Sequence, residues 1–288
     1  MNAAVLNRVV EATSRFLTKV KRQNEPFQAF LTTDAYKTFY AALKDATLTQ
    51  GQSVAAELKK ANQANTLAFN DDMQPLTDSQ LPHMKQLVKD SMPKLADLIS
   101  HETVYKTLYA AFVYSVKAQY KRWGLMVKAT GVEFSMTNKN YIKMLNDQSN
   151  YLLNLSSIDD TTTDQLVTLI KNGKMDGLTI DEIASEIEDQ FDGISDNRAF
   201  VISRTETAQA MGSGNLATMV ENGVQTKHWV IAGGNVCPIC EGNAAQGSIP
   251  VSESFDSGDD CEPAHPNCEC YTEADEIDLD SINIWDGE

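Results

Sequence analysis

The 288-residue chain lacks any apolar run approaching the roughly 18 residues needed to cross a bilayer, which argues against a helical membrane span. Its first 22 residues mix apolar and polar side chains at helical spacing, Glu11 and Arg15 among them. They lack the uninterrupted apolar core of a secretory signal and are expected to form an amphipathic helix. Cysteine is absent before position 237, so disulfide staples are not expected to hold most of the chain, which is long enough to bury a core without them. A reducing compartment is expected, where thiols meet metals more often than each other. Lysine and arginine are absent after Lys227, whereas 14 acidic residues follow it. Such a stretch repels phosphate and counts against nucleic-acid binding by the C-terminal part. Two zinc-enzyme signatures are also missing. His101-Glu102 is followed by Tyr105 and not by the second histidine of H-E-x-x-H, and no H-x-E precedes the P-C-x-x-C spacing of a deaminase.

What is present divides the chain. Residues 1–130 are net basic and residues 131–288 strongly acidic, within a total of −16. The first 150 residues read as helices. Leu6, Val9, Val10, Phe16, Leu17 and Val20 recur at threes, fours and sevens, and Tyr36, Phe39, Tyr40 and Leu43 repeat the pattern. Pro26, Gly51, Pro75 and Pro82 are expected to break this region into pieces. The longest piece should run from about Pro93 to Trp123, with Lys117, Lys121, Arg122 and Lys128 near its end. A further helix is expected over Asn138 to Asn146. Residues 154–162, rich in serine, threonine and aspartate, read as a linker between a helical domain (1–153) and a second domain (163–272).

In the second domain Thr163 to Ile170 reads as a short helix. Thr179-x-x-Glu182 is a capping box opening the next helix, which Gly193 should end. A third helix then carries Arg198, Arg204 and Glu206, is interrupted near Gly212 and Gly214, and terminates at Gly223. Residues 226–231 read as a strand with Trp229 and Ile231 on one face. Residues two apart on a helix do not face each other, so Arg204 and Glu206 are not a preformed pair. Arg204 is expected to bridge to another element, such as Glu182 or Glu186 on the preceding helix.

The five cysteines fall within 34 positions: Cys237, Cys240, Cys261, Cys268 and Cys270. Cys237-Pro-Ile-Cys240 is a C-x-x-C turn, and His265-Pro-Asn-Cys268-Glu-Cys270 can complete a tetrahedron around zinc, which takes four nitrogen or sulfur ligands in closed structural sites. The 24 residues between Cys240 and His265 contain Gly242, Gly247, Pro250, Gly258 and Pro263 and few apolar side chains. A metal would supply stability that this loop cannot, because binding free energy becomes folding free energy. The expected ligands are Cys237, Cys240, His265 and one of Cys268 and Cys270. Those two are expected to face apart if the segment is extended, and Cys261 is the least convincing donor. Four protein ligands leave no position for an activated water, so a structural Zn2+ and no catalytic residue are expected. The fold class that follows is mainly α: an N-terminal helical domain, then an α+β domain ending in a small zinc-clamped β module (226–272) and an acidic tail (273–288).

The order of these motifs resembles the phage Mu F-like family of minor head (head morphogenesis) proteins. In that series an I-x-R-T-E-T helix precedes a glycine-ended helix, a tryptophan-bearing strand, a C-P-x-C turn and H-P-N-C-x-C. Here they are Ile202 to Thr207, Gly223, Trp229, Cys237 to Cys240 and His265 to Cys270. The likeness covers about residues 160–272. The chain departs from it at Glu269, where arginine is frequent, and in the additional Cys261. The resemblance implies a virion component located in the head near the portal and made in the host cytoplasm. Its implied partners are the portal protein and other head proteins, with an influence on DNA packaging or ejection. It makes Arg204, Thr205, Glu206 and Trp229 structural or partner-binding residues. Two other readings stand beside it. One is a phage-borne enzyme or toxin module, for which the 18 residues after Cys270 are expected to be too few to hold an effector. The other is a zinc protein that binds phage DNA through its basic N-terminal domain.

Overall fold

The computed structural model describes residues 25–67, 74–122, 151–234 and 236–275. The helices expected over Met1 to Arg22 and Asn138 to Asn146, and Lys128, lie outside them. The described residues are mainly helical, with one small antiparallel sheet. In chain order they form α1 (Glu25–Phe30), α2 (Asp34–Gln63), α3 (Leu81–Ser91), α4 (Leu95–Leu98), α5 (His101–Arg122), α6 (Tyr151–Met175), α7 (Ile180–Glu221), β1 (Thr226–Val230), α8 (Pro238–Ala245), β2 (Ile249–Pro250) and β3 (Tyr271–Ala274). The chain divides into two compact units. One takes residues 34–107 and 145–203, the other residues 1–33, 108–144 and 204–288.

The first unit is a helix bundle. Val54 and Leu58 of α2, Met84 and Val88 of α3, Leu166 and Ile170 of α6, and Ile183, Ile187 and Phe191 of α7 form one continuous buried cluster. Their threes-and-fours spacing produces a single apolar stripe on each helix, which burial then fixes. Gly51 does not break α2. A β-carbon there would lie 2.2 Å from the Phe191 ring, so glycine admits that ring against the helix backbone. Residues 154–162, expected as a linker, are helical within α6 instead. Thr162 and Thr163 bond back to the carbonyls of Ile158 and Asp159, satisfying their hydroxyls inside a helix. A polar seam accompanies the apolar core. Asp159 accepts from Gln50 Nε2 at 2.7 Å and from the Leu95 amide, while Arg198 donates to Gln165 Oε1 and to the Ile158 carbonyl.

The capping box forms as its sequence requires. Glu182 N donates to Thr179 Oγ1 at 3.3 Å, and Thr179 N to Glu182 Oε2 at 2.8 Å. From there α7 runs unbroken for 42 residues, through Gly193, Gly212 and Gly214. A glycine inside a helix costs only about 1 kcal/mol, which tertiary packing can offset. In the second unit that packing is visible. A β-carbon at Gly214 would lie 2.6 Å from the Phe112 carbonyl oxygen, and one at Gly212 would lie 2.3 Å from that of Glu262. Gly223, with φ of +67°, ends the helix. Its amide bonds Val220 O and the Val224 amide bonds Met219 O, which satisfies the last carbonyls in a left-handed cap.

The sheet follows directly, in the order β2-β1-β3, with both pairings antiparallel. His228 faces Glu273 and Trp229 faces Thr272 across β1 and β3. Trp229 is buried as expected, but Ile231 lies beyond the strand end.

Candidate metal centre

The first half of the site is made by a helix start. Cys237 is the N-cap of α8, Pro238 occupies its first turn where a missing N–H is harmless, and the Cys240 amide donates to Cys237 Sγ at 3.4 Å. Two sulfurs are thereby held on one side of a short rigid turn. The second half is made by a turn at His265. The Cys268 amide bonds the His265 carbonyl, and Asn267 adopts the left-handed backbone (φ 58°) that asparagine tolerates better than most residues. His265 Nδ1 lies 2.9 Å from the Pro266 carbonyl. A carbonyl can only accept, so that nitrogen carries the proton and Nε2 keeps its lone pair.

The two halves converge. Cys240 Sγ lies 3.3 Å from His265 Nε2 and 3.6 Å from Cys268 Sγ. Cys237, Cys240 and His265 have ligand atoms mutually within 4.8 Å, and so do Cys240, Cys268 and Cys270. A tetrahedral zinc site with Zn–S bonds of about 2.3 Å places its sulfurs about 3.8 Å apart, close to the separations found. These groups could hold a metal ion. Four soft sulfurs and one imidazole suit zinc and disfavour magnesium or calcium, which require oxygen donors.

The expectation that Cys268 and Cys270 diverge is corrected by this geometry. In an extended segment it is neighbours that alternate, and residues two apart share a face. Cys268 and Cys270 both point toward Cys240, while Asn267 and Glu269 point the other way. The five donors therefore form two overlapping triplets that share Cys240. Hydrogen bonds from Cys240 and Cys268 pull the Cys270 thiol down to about 3, while hydrogen bonds with Cys268 and Cys270 push Cys240 well up. Cys261 belongs to neither group. Burial above all holds its thiol well above the usual range.

The surrounding floor is apolar. Trp229, Phe255, Cys240, Cys268 and Cys270 form a small buried cluster, with the Trp229 and Phe255 rings edge-on at 5.1 Å. The loop before His265 is more organised than its composition suggested. Asn243 exchanges hydrogen bonds with Ser257, Gln246 accepts from the Asp256 amide, and buried Lys227 donates to Asp260 O at 2.6 Å.

On the far side of the 265–270 turn stands α7. Arg204 Nε donates to Asn267 Oδ1 at 2.6 Å, its Nη2 pairs with Glu269 Oε1, and Thr205 Oγ1 accepts from the Asn267 amide at 2.9 Å. The guanidinium also lies 5.0 Å from the centre of the Phe27 ring. The expected bridge to Glu182 or Glu186 is thereby corrected. Both acids precede Arg204 on α7 itself, and the groups that meet its guanidinium are Asn267 and Glu269. Glu206 takes no part in the clamp, and burial raises its carboxyl to about 7. His228 pairs with Asp275, outside the cluster. Asn267 and Glu269 are the residues that motif spacing missed as partners of Arg204. Only the coincidence of two sequence motifs hinted at their contact.

The I-S-R-T-E-T helix, the C-P-I-C turn and the H-P-N-C-E-C turn are thus parts of one structure. A family model described as "Phage Mu protein F like protein" matches residues 164–273. Residues 164–273 belong to the phage Mu F-like family. The Mu F-like region takes in the end of α6, all of α7, the three strands and every donor of the cluster. Searches of curated proteins and of solved structures returned no significant match. The family match over these residues points to a phage head-related protein.

Proposed function

We propose that this chain is a minor head protein that associates with the portal during head assembly, and that its Mu F-like region is closed by one structural Zn2+. The observation that carries the reading is the convergence of five cysteine and histidine donors inside the Mu F-like region. With four of them bound, the ion has no open position, so the metal supports folding and no catalytic role is assigned. Cys237, Cys240 and His265, with one of Cys268 and Cys270, would hold it, and its chemistry would be to cross-link the two turns.

The paired lysines of the helical unit weigh against nucleic acid as the partner of that unit. Lys44, Lys59, Lys60, Lys85, Lys89 and Lys106 each lie beside a carboxylate, which reduces the charge available to phosphate. No helix among the described residues is long and apolar enough to cross a membrane.

Mass spectrometry of purified virions and procapsids, with cross-linking, tests the assembly role. The protein should be present in both particles and cross-link to portal. Recovery of the protein only in the particle-free fraction of infected cells would overturn the assignment. Elemental analysis of the purified chain should give about one zinc per chain, lost in Cys237→Ser/Cys240→Ser.

A further inference from the structure

We infer that Arg204 is a positioning residue of the metal centre: it orients Cys268 and Cys270 through Asn267 and Glu269. The inference rests on the zinc site proposed above and deepens it.

The geometry is one of alternation. Arg204 and Thr205 hold residues 267 and 269 from the α7 side, by two side-chain bonds and one to the backbone amide of Asn267. The Asn267 backbone is left-handed, so the turn and not strand pleating sets the direction there; with the side chains of 267 and 269 held toward the helix, those of 268 and 270 are left on the side of Cys240. Both sulfurs lie there, within 4.8 Å of Cys240 Sγ. The turn's own backbone bond, Cys268 N to His265 O at 3.2 Å, fixes the approach to Cys268. Beyond it Cys270 Sγ bonds the Ala232 carbonyl and Tyr271 enters the sheet, and between these anchors Arg204 holds Glu269.

Three features make the clamp specific. The guanidinium holds two acceptors at once from a planar fork, which a lysine ammonium does not reproduce. The Arg204 side chain is 7% exposed and backed by Phe27, so water competes little for its bonds. Gly233 leaves room for Glu269, because a β-carbon there would lie 2.7 Å from Glu269 Oε2. Partners that orient metal ligands from outside the coordination sphere commonly alter metal affinity about 10- to 100-fold.

The test uses the full chain loaded with one equivalent of Zn2+ or, in parallel, Co2+. Variants are Arg204→Met, Arg204→Lys and Glu269→Gln, with Arg198→Met as a control for loss of a buried arginine remote in sequence from the ligands. Zinc transfer to a chromogenic chelator should be about 10-fold or more faster in Arg204→Met, and the ligand-field and thiolate charge-transfer bands of the cobalt form should change. Arg204→Lys and Glu269→Gln should fall between it and the wild type, and Arg198→Met should keep the wild-type spectrum whatever its melting temperature. If Arg204→Met does not fold, Glu269→Gln carries the same comparison. Wild-type release rates and cobalt spectra in the folded Arg204 and Glu269 variants would overturn the inference and leave the metal site standing. A wild-type chain that takes up neither ion would overturn both.

Discussion

The helical unit and the terminal module are held by different physics. The bundle buries Val54, Leu58, Met84, Val88, Leu166, Ile170, Ile183, Ile187 and Phe191 in a contiguous core, each lining residue drawn from a different turn of a long helix. The module from β1 to β3 buries Trp229 and Phe255 among sulfurs, and fastens its loops with polar bonds. At about 25 cal/mol per Å2 of apolar surface, a core of two rings contributes little against the entropy of ordering a long loop. Where apolar burial is scarce, groups that could hold a metal ion converge.

Metal removal should expose the difference most strongly. Structural zinc contributes about 10–16 kcal/mol in small zinc-finger peptides, more than the whole stability of many domains. Chelation should therefore abolish amide-exchange protection across 237–270 while leaving protection in α2, α6 and the start of α7 unchanged. Protection in 237–270 that survives chelation would show that the module folds on its polar and apolar contacts alone.

The converse experiment acts on the bundle. Phe191→Ala should cost about 3–5 kcal/mol by leaving a cavity in a core that cannot close over it. Gly51→Ala should cost about 1–3 kcal/mol, because its β-carbon would meet the Phe191 ring at 2.2 Å. Urea unfolding followed by exchange in the bundle should register both losses, and zinc content should not change. The two substitutions should also be strongly non-additive, since Phe191→Ala removes the ring that Gly51→Ala strikes.

A smaller, pH-dependent effect sharpens the comparison on α7. Burial raises Glu206 to about 7 in the folded chain. From about pH 4.5 to 7 the unfolded chain loses this proton while the folded chain retains it, so stability falls as pH rises through that window and the full penalty stands above it. Glu206→Gln should thus stabilise the protein by about 1–2 kcal/mol at pH 8, allowing for partial solvent screening of the carboxylate, and by less at pH 5.5. Equal melting temperatures for variant and wild type at pH 8 would remove Glu206 as a destabilising group.

Several parts of this arrangement were legible in the residues because they depend on local rules. Thr179 and Glu182 announce a helix start three positions apart, Gly223 a helix end, and Cys237-Pro-Ile-Cys240 a turn with two sulfurs on one side. Glycine was less legible. At Gly51, Gly212 and Gly214 it marks close approach of another element and not a break, and nothing nearby in sequence reveals which. The polar composition of 154–162 misled in the same way: the stretch is helical within α6, and the Thr162 hydroxyl finds a carbonyl partner there.

By itself, the sequence determined the mainly helical character, the caps of α7 and which side chains could act as donors, because helix periodicity, capping chemistry and ligand type act over a few residues. Tertiary structure alone decided that α7 is continuous, that Arg204 meets Glu269 and not Glu182, and that Cys268 and Cys270 face Cys240 together. Those outcomes depend on which segments, 60 or more positions apart along the chain in the case of Arg204 and its partners, come within bonding distance. Only the closed fold sets that distance.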